Sequence, residues 1–305
     1  MLFRSIYRPK VWLNYKTLIG AARAWRELSA LGRDKQPRVV VGTGGYASGL
    51  ALAWAWSKRV PIVQHIGDSH PGATARLFTR ISREAYLGFP EAEPWLSHTG
   101  CVFRDTGNPI DPPPDIRPDA IAAKSRWGFP AGARVLLVFG GSQGARALNQ
   151  AVAGWVEHGL PSKLCVIWAT GTAQYDAFKQ YDRADVRVVP YLAPIADAYA
   201  ASDLAFVRGG MMGASELCAW GVPMLVCPLP TAAQDHQTSN ALALEQAGAA
   251  VHLAQHDLTP ERLDATVRML LDDPARLATL AAAARARARP NAAADIAAHI
   301  AKLLV

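Results

Sequence analysis

Three glycine-rich segments of the chain have the residue types and spacing that suit phosphate binding. They are GTGGYASG (42–49), GGSQGAR (140–146) and RGGMMGASE (208–216), and each follows a short apolar run. Glycine lets the backbone approach an anion closely, and a helix that begins after such a loop points its N–H groups at the same place. The 140–146 segment matches neither the G-x-G-x-x-G fingerprint nor a P-loop. The alternative interpretation of this segment is a tight strand-to-helix turn that binds no ligand.

Side chains in the second and third loops could bind further parts of a nucleotide. Ser142 can donate its hydroxyl to a diphosphate, and Glu216 stands one turn into a predicted helix, where its carboxylate could accept hydrogen bonds from two ribose hydroxyls. Stabilisation of its own helix dipole is the alternative for Glu216. Met211 and Met212 are more typical of a core or a pocket wall than of chemistry.

A further polar cluster stands at the start of another predicted helix. It contains Asp235, His236 and Gln237, with Asn240 one turn later. Polar groups this dense on a strand-to-helix loop suit recognition of sugar hydroxyls. Helix capping is the alternative, and Asp235 is then the best cap candidate.

Alternating strands and helices must position these loops. RVLLVF (134–139) is a continuous apolar run of the kind buried in a parallel sheet, and a helix over 145–156 follows its glycine loop. This spacing predicts a doubly wound α/β domain. Further strands are expected near 163–168, 186–189, 203–207, 223–227 and 249–253.

A second α/β block precedes this one and ends at a proline-rich segment. GNPIDPPPDIRP (107–118) holds five prolines, which favour an extended linker. We therefore predict domains over 1–112 and 113–305, with ligand binding in the cleft between them. The expected elements of the first block are a helix over 11–31, a strand over 38–41, a helix through Trp54 and Trp56 and a strand over 60–64.

The C-terminal tail (260–305) is rich in alanine and arginine, which predicts helix. The helix should break at Pro290, and the last helix is expected to pack back on the first domain.

Composition excludes several classes of protein. Half of the residues are hydrophobic and 19% are charged, as in a globular chain, and no run of eighteen uncharged apolar residues predicts a membrane-spanning helix. The four cysteines contain no C-x-x-C pair, which argues against a disulfide framework and fits a reducing cytoplasm. No carboxylate pair at ligand spacing indicates a metal, so no metal or other cofactor is expected.

The first 26 residues carry six arginines and lysines and no acid, among aromatic and aliphatic side chains. This mixture suits an anionic lipid surface, and the expected membrane-contacting residues are Trp12, Leu13, Lys16 and Trp25. An amphipathic helix packed on a core is the alternative. Nucleic acid is disfavoured because the basic residues do not interleave with a recognised module.

Taken together, GGSQGARALN, RGG…SE and DHQ…NA…LEQAGAA resemble the MurG-like, family-28 glycosyltransferases of peptidoglycan synthesis, over about residues 38–290. The resemblance implies the GT-B fold, with two Rossmann-like parallel-sheet domains facing a cleft. It also implies that Glu216 binds the ribose of UDP, that Gln237 contacts N-acetylglucosamine and that Met211 and Met212 flank the uracil. The implied donor-binding residues are Gly140, Gly141, Ser142, Gly144, Asn149, Arg208, Gly210, Met211, Met212, Glu216, Asp235, His236 and Gln237.

The resemblance assigns the first glycine loop to the diphosphate of a lipid-linked acceptor. The implied acceptor-binding residues are Gly42, Gly44, Gly45, Tyr46 and Ser48. The basic, Trp-bearing N-terminal segment lies where the family has its membrane-facing patch. We therefore expect a peripheral protein on the inner face of the cytoplasmic membrane.

Three departures from the family pattern stand out. The family's opening strand and first glycine loop, which ends in His, have no match, so the N-terminal domain is expected to be incomplete. The family's HEQN segment is His65, Ile66, Gly67 and Asp68 here. The Arg usual after GNPV is Asp111, so either Asp111 points away from the donor diphosphate or donor binding is weaker.

The implied reaction is inverting transfer of N-acetylglucosamine from UDP-GlcNAc to a polyprenyl-diphosphate-linked sugar. Ser142, the Gly140–Gly144 backbone and Arg208 are candidates for stabilising the leaving diphosphate. His65, Asp68 and His236 are candidates for the general base. The alternatives are a non-catalytic or truncated UDP-sugar-binding homologue, and a transferase that acts on a different glycolipid.

Overall fold

The computed structural model describes residues 15–97, 100–141 and 143–304. The chain forms two compact units: Met1–Asn108 together with Ala292–Val305, and Pro109–Asn291. The division falls a few residues before the boundary expected after residue 112, at the first proline of the 107–118 segment.

The first unit contains, within its described residues, a four-stranded parallel sheet in the order β1-β2-β3-β4. Leu52, Trp54 and Ile62 are buried in one hydrophobic cluster of this unit. The strands are β1 (Val40–Gly42), β2 (Ile62–Ile66), β3 (Glu84–Leu87) and β4 (Val102–Asp105). The helices before β4 are α1 (Tyr15–Lys35), α2 (Gly45–Ser57) and α3 (Ala73–Phe78).

The sequence pattern did not predict β3 or β4, because neither strand is a simple apolar run. β3 carries Glu84 in a fully buried strand, and β4 is partly exposed. The Arg104 guanidinium on β4 donates to both Glu84 carboxylate oxygens, at 2.8 and 2.9 Å. These bonds hold the pKa of Glu84 below its usual value, so the buried carboxylate stays ionised and paired.

The second unit holds a six-stranded parallel sheet among its described residues, in the order β10-β9-β8-β5-β6-β7. Apart from Arg134 at its start, the central strand β5 is apolar, and Trp155, Trp168 and Phe206 are buried in the core of this unit. The strands are β5 (Arg134–Phe139), β6 (Leu164–Ala169), β7 (Val186–Val189), β8 (Leu204–Val207), β9 (Met224–Val226) and β10 (Ala250–His252). The helices up to β10 are α4 (Ala120–Arg126), α5 (Arg146–His158), α6 (Tyr175–Phe178), α7 (Ala196–Ala201), α8 (Met211–Trp220) and α9 (His236–Gln246).

The strand order of the second unit reverses between β5 and β8. From β5 the chain proceeds to β6 and β7 on one side, whereas β8, β9 and β10 lie on the other. Phe139 and Val207, the last residues of β5 and β8, are register partners. The 140–146 and 208–210 loops therefore leave the sheet side by side, at the kind of switch point where open α/β sheets bind ligands.

The tail contains one more helix break than was predicted. It folds into α10 (Pro260–Leu271), α11 (Pro274–Arg287) and α12 (Ala292–Lys302). The extra break comes from Asp273, whose carboxylate caps α11 by accepting from the N–H of Arg276, and from a proline in the first turn of α11. α12 belongs to the first unit, where His299 stacks on the buried ring of Tyr86 with centroids 6.2 Å apart.

The loop after β5 crosses the loop after β6 with almost no space between the two backbones. Gly144 has a φ of +75°, and a Cβ at this position would lie 2.0 Å from the carbonyl oxygen of Thr170. Gly171 faces it, and a Cβ there would lie 2.3 Å from the backbone nitrogen of Gly144. Only glycine fits this crossing, which fixes the path of the chain into α5.

We predict that Gly144→Ala destabilises the protein strongly. The left-handed backbone alone costs about 1–3 kcal/mol for a non-glycine residue, and the contact with Thr170 adds to that. Thermal unfolding should show a melting temperature lower by roughly 5 °C or more. Gly132→Ala is the matched control, because a Cβ there meets nothing within 4 Å. Equal melting temperatures for the two variants would contradict the packing described here.

Candidate functional site

A cavity of about 380 Å³ opens at the switch point of the second unit. Its volume is in the range of small-molecule sites. Among the residues that the structure describes, its lining contains two arginines and no acidic residue. The lining residues are Gly140, Gly144, Ala145, Arg146, Ala147, Gln150, Arg208, Leu229, Gln237 and Gln255.

The first turn of α5 forms one wall of this pocket. α5 begins at Arg146, and the residue before it, Ala145, has no side chain that could cap the helix. The first N–H groups of an uncapped helix lack partners and carry the positive end of the helix dipole. Because Ala145, Arg146 and Ala147 line the pocket, this end of α5 suits an anionic ligand.

Arg208, directly after β8, also lines the pocket. Its Nη1 donates to the carbonyl oxygens of Cys227 and Pro228 at 3.0 and 3.1 Å, and its Nη2 donates to Oε1 of Gln255 at 2.7 Å. Burial lowers the pKa of the guanidinium, although arginine remains charged near neutral pH. None of the described residues gives Arg208 a carboxylate partner, so the pocket contains a half-buried positive charge.

The start of α9 contributes Gln237 to the pocket lining. Gln237 accepts a hydrogen bond from the N–H of Leu229 at 3.0 Å, so its side-chain amide nitrogen is available to a ligand. Asn240 is fully buried and donates to the carbonyl of Gly209 at 3.0 Å. A Cβ on Gly209 would lie 2.3 Å from the carbonyl oxygen of Gln237, so glycine is needed for α9 to approach this loop.

Glu216 lies on α8, is half-buried and is not among the residues that line the pocket. One carboxylate oxygen accepts a hydrogen bond of 2.6 Å from the hydroxyl of Tyr199, whose pKa is raised by burial and by the glutamate. No described residue hydrogen-bonds to the other carboxylate oxygen. Met211 and Met212 are the first two residues of α8, after Gly210, and Met212 is exposed.

Asn149, predicted to bind the donor, is not among the residues that line the pocket. It is 2% exposed and lies on the inner face of α5. Its amide donates to the Thr170 carbonyl and to Gln174, and its oxygen accepts from Nε1 of Trp168 at 2.9 Å. Asn149 therefore ties α5 to β6 and the loop after it.

The candidate bases lie in different environments. His65 is on β2 of the first unit; its Nε2 is buried without a partner among the described residues, and burial lowers its pKa. Asp68 follows the same strand. In the second unit, His236 opens α9 and its Nδ1 bonds the carbonyl oxygen of Ala233 at 2.7 Å. Asp235 makes no capping bond to α9; its carboxylate accepts from the Thr238 hydroxyl instead.

The loop assigned to the acceptor leads from β1 into α2. Gly42 ends β1, and Gly44 and Gly45 are the residues at which α2 begins. The Ser48 hydroxyl donates to the carbonyls of Gly44 and Gly45 at 2.7 and 2.9 Å, so it holds the loop in shape. α2 has no side-chain cap, as in α5. Tyr46 is on the first turn of α2.

The membrane-contact residues divide into two groups. Trp25 is half-buried and packs on the α2 cluster that contains Leu52 and Trp54, and its contact with lipid stays a prediction. Trp12 and Leu13 lie outside the described residues, as does Ser142 of the second loop, and Lys16 is on the first turn of α1. No helix in the described ranges combines the length and hydrophobicity that crossing a membrane requires.

The pocket includes residues that sequence reasoning missed. Arg146 belongs to the quoted motif, and Gln150 is one helical turn further on, so helical spacing could have placed both on one face. Gln255 is 47 residues from Arg208, and only the strand order brings them together. Asp111 is exposed and is not part of the pocket lining.

The chain has two α/β units, each built on a parallel sheet, and the second has a pocket at its switch point that suits an anion. This architecture matches the GT-B class of glycosyltransferase folds. The glycosyltransferase family 28 C-terminal domain matches residues 135–300. The chain belongs to glycosyltransferase family 28.

Relatives cover nearly the whole chain. The UDP-N-acetylglucosamine–N-acetylmuramyl-(pentapeptide) pyrophosphoryl-undecaprenol N-acetylglucosamine transferase of Salinibacter ruber is 38% identical over 97% of this chain and 79% of its own length. The enzyme of the same name from Porphyromonas gingivalis is 33% identical over 99% and 80%. The crystal structure of Acinetobacter baumannii MurG is 26% identical, with a TM-score of 0.76 over 99% of this chain and 83% of that chain.

We predict that two neighbouring residues of α5 respond differently to truncation. Asn149→Ala should lower the free energy of unfolding by about 2–4 kcal/mol, because it leaves several buried polar groups without partners. Gln150→Ala, on the exposed face, should change it by less than roughly 0.5 kcal/mol. Urea unfolding of both variants measures this. Equal losses would contradict the inward position of Asn149.

Proposed function

We propose that this protein transfers N-acetylglucosamine from UDP-N-acetylglucosamine to an acceptor sugar linked to a polyprenyl diphosphate, with inversion, in peptidoglycan synthesis. The observation that carries the proposal is the acid-free, cationic pocket at the switch point of the second unit. The names of the relatives that cover nearly the whole chain support this donor and this acceptor.

The pocket suits the leaving group of this reaction. An acceptor hydroxyl oxygen bonds to the anomeric carbon, the bond from that carbon to the diphosphate oxygen breaks, and the hydroxyl proton passes to a base. Negative charge grows on the departing UDP. Arg208, Arg146 and the first turn of α5 converge on the place where that charge would develop.

We infer that the reaction needs no metal ion. The pocket lining offers guanidinium groups, amides and backbone N–H groups, but none of the carboxylates that hold Mg²⁺ against a diphosphate. Positive charge from arginine and the helix end takes the place of the cation.

The acceptor side is assigned to the first unit. The uncapped start of α2 at Gly45 suits the acceptor diphosphate, in the same way that α5 suits the donor. His65 lies on the neighbouring strand β2, and Asp68 follows the end of that strand. These two residues are the candidates in the first unit for accepting the hydroxyl proton.

The activity is tested with purified protein, UDP-N-acetylglucosamine and undecaprenyl-diphosphoryl N-acetylmuramyl-pentapeptide in detergent. UDP release should be detected and should persist in EDTA. Arg208→Ala should lower kcat about 10²-fold, the loss typical of removing one group that stabilises the transition state. Arg262→Ala, on the exposed face of α10, is the matched control and should leave the rate unchanged.

Failure to release UDP with any polyprenyl-diphosphate acceptor, in a protein that still binds UDP, would contradict the proposal. That result would favour the non-catalytic alternative.

We also propose that α1 binds the inner face of the cytoplasmic membrane. Ile19, Arg23, Arg26 and Arg33 are exposed and recur at spacings of four, three and seven residues, which places them on one face of the helix. The opposite face packs on α2 through Trp25 and Leu28. A cationic stripe with an exposed isoleucine suits an anionic lipid surface.

Charge reversal on this stripe should weaken membrane binding. Each basic residue near an anionic surface contributes about 1 kcal/mol, so Arg23→Glu combined with Arg26→Glu should weaken binding to phosphatidylglycerol vesicles roughly tenfold or more. Co-sedimentation measures this. Arg262→Glu combined with Arg276→Glu makes the same charge change on exposed helices of the second unit and is the control. Equal binding by both double variants would contradict the assignment to α1.

A further inference from the structure

We propose that Gln255 is a positioning residue that holds Arg208 against the donor diphosphate, and that its neutrality keeps the arginine charge available to the ligand. The inference rests on the proposed function and extends it to a residue outside the glycine loops and the 235–240 cluster.

Three neutral oxygens fix the guanidinium. Arg208 follows β8, and Gln255 follows β10 in the same sheet, two strands away. The carbonyls of Cys227 and Pro228, which follow the intervening strand β9, accept from Nη1, and the amide oxygen of Gln255 accepts from Nη2 at 2.7 Å. The sheet edge thus presents acceptors from two successive strands to one arginine.

This arrangement leaves part of the guanidinium unused. Arginine has five N–H donors, and the three bonds described leave Nε–H and one Nη2–H without a partner among the described residues. Arg208 and Gln255 both line the pocket. The remaining donors are therefore the ones that a bound phosphate can engage.

The amide of Gln255 differs from a carboxylate in one respect that matters here. Both groups accept a hydrogen bond from Arg208 at this distance, but a carboxylate would also cancel its charge. The pocket lining contains no acid, so the Gln255 amide orients the cation without neutralising it. A purely structural role for Gln255 would be filled equally well, or better, by glutamate.

Gln255→Glu separates the two roles. Affinities for UDP and for uridine are measured by competition against a fluorescent UDP-sugar. Because the two ligands differ only in the diphosphate, the ratio of their affinities reports the contribution of the diphosphate to binding. We expect UDP affinity to fall roughly tenfold or more, as for a like charge placed beside a bound anion, and uridine affinity to change less than about twofold. Gln255→Leu removes the acceptor but adds no charge, and should cause a smaller loss confined to UDP.

Gln246→Glu is the control, since it makes the same chemical change at the exposed end of α9. Thermal unfolding confirms that each variant is folded. Wild-type affinity for UDP in Gln255→Glu would overturn this inference while leaving the proposed function intact. A wild-type protein that binds no UDP would overturn the proposed function, and the inference with it.

Discussion

The parallel pairing of β5 with β8 is the constraint on which the candidate site depends. Because Phe139 lies opposite Val207, the glycine loop before α5 and the loop that carries Arg208 leave the sheet as neighbours. β5 and β8 are separated in the chain by β6 and β7. The pocket therefore forms only when β8 pairs with β5 in the sheet. Close backbone packing then fixes the positions of two helices that line the pocket. The contact of Gly144 with Thr170 directs the chain into α5, and the contact of Gly209 with Gln237 fixes the start of α9.

The charges of the site follow from this packing. A helix start without a side-chain cap and an arginine surrounded by neutral acceptors both carry positive charge that the protein itself leaves uncompensated. Such groups are costly in a folded chain unless a ligand satisfies them. Elsewhere the protein pairs its buried charges, as with Glu84 and Arg104 in the first unit. The contrast identifies the second-unit pocket as a place built for an anion.

The sequence predicted much of the second unit, because most of its strands are apolar runs. RVLLVF coincides with β5, and the glycine loops stand where helices begin. β3 and β4 were missed because Glu84 and Arg104 interrupt their pattern. The packing of Asn149 and Trp25 within the protein was not foreseen, because motif membership and residue type do not say which face of a helix points inward. Gln255 could not be found, since its contact with Arg208 depends on strand order.

The central claim is that the cationic pocket at the β5–β8 switch point holds the donor diphosphate. A crystal structure of the protein with UDP tests it most directly. The account predicts phosphate oxygens within hydrogen-bonding distance of Arg208 and of the backbone N–H groups in the first turn of α5. UDP bound with its diphosphate away from both groups, for example at the start of α2 in the first unit, would contradict it.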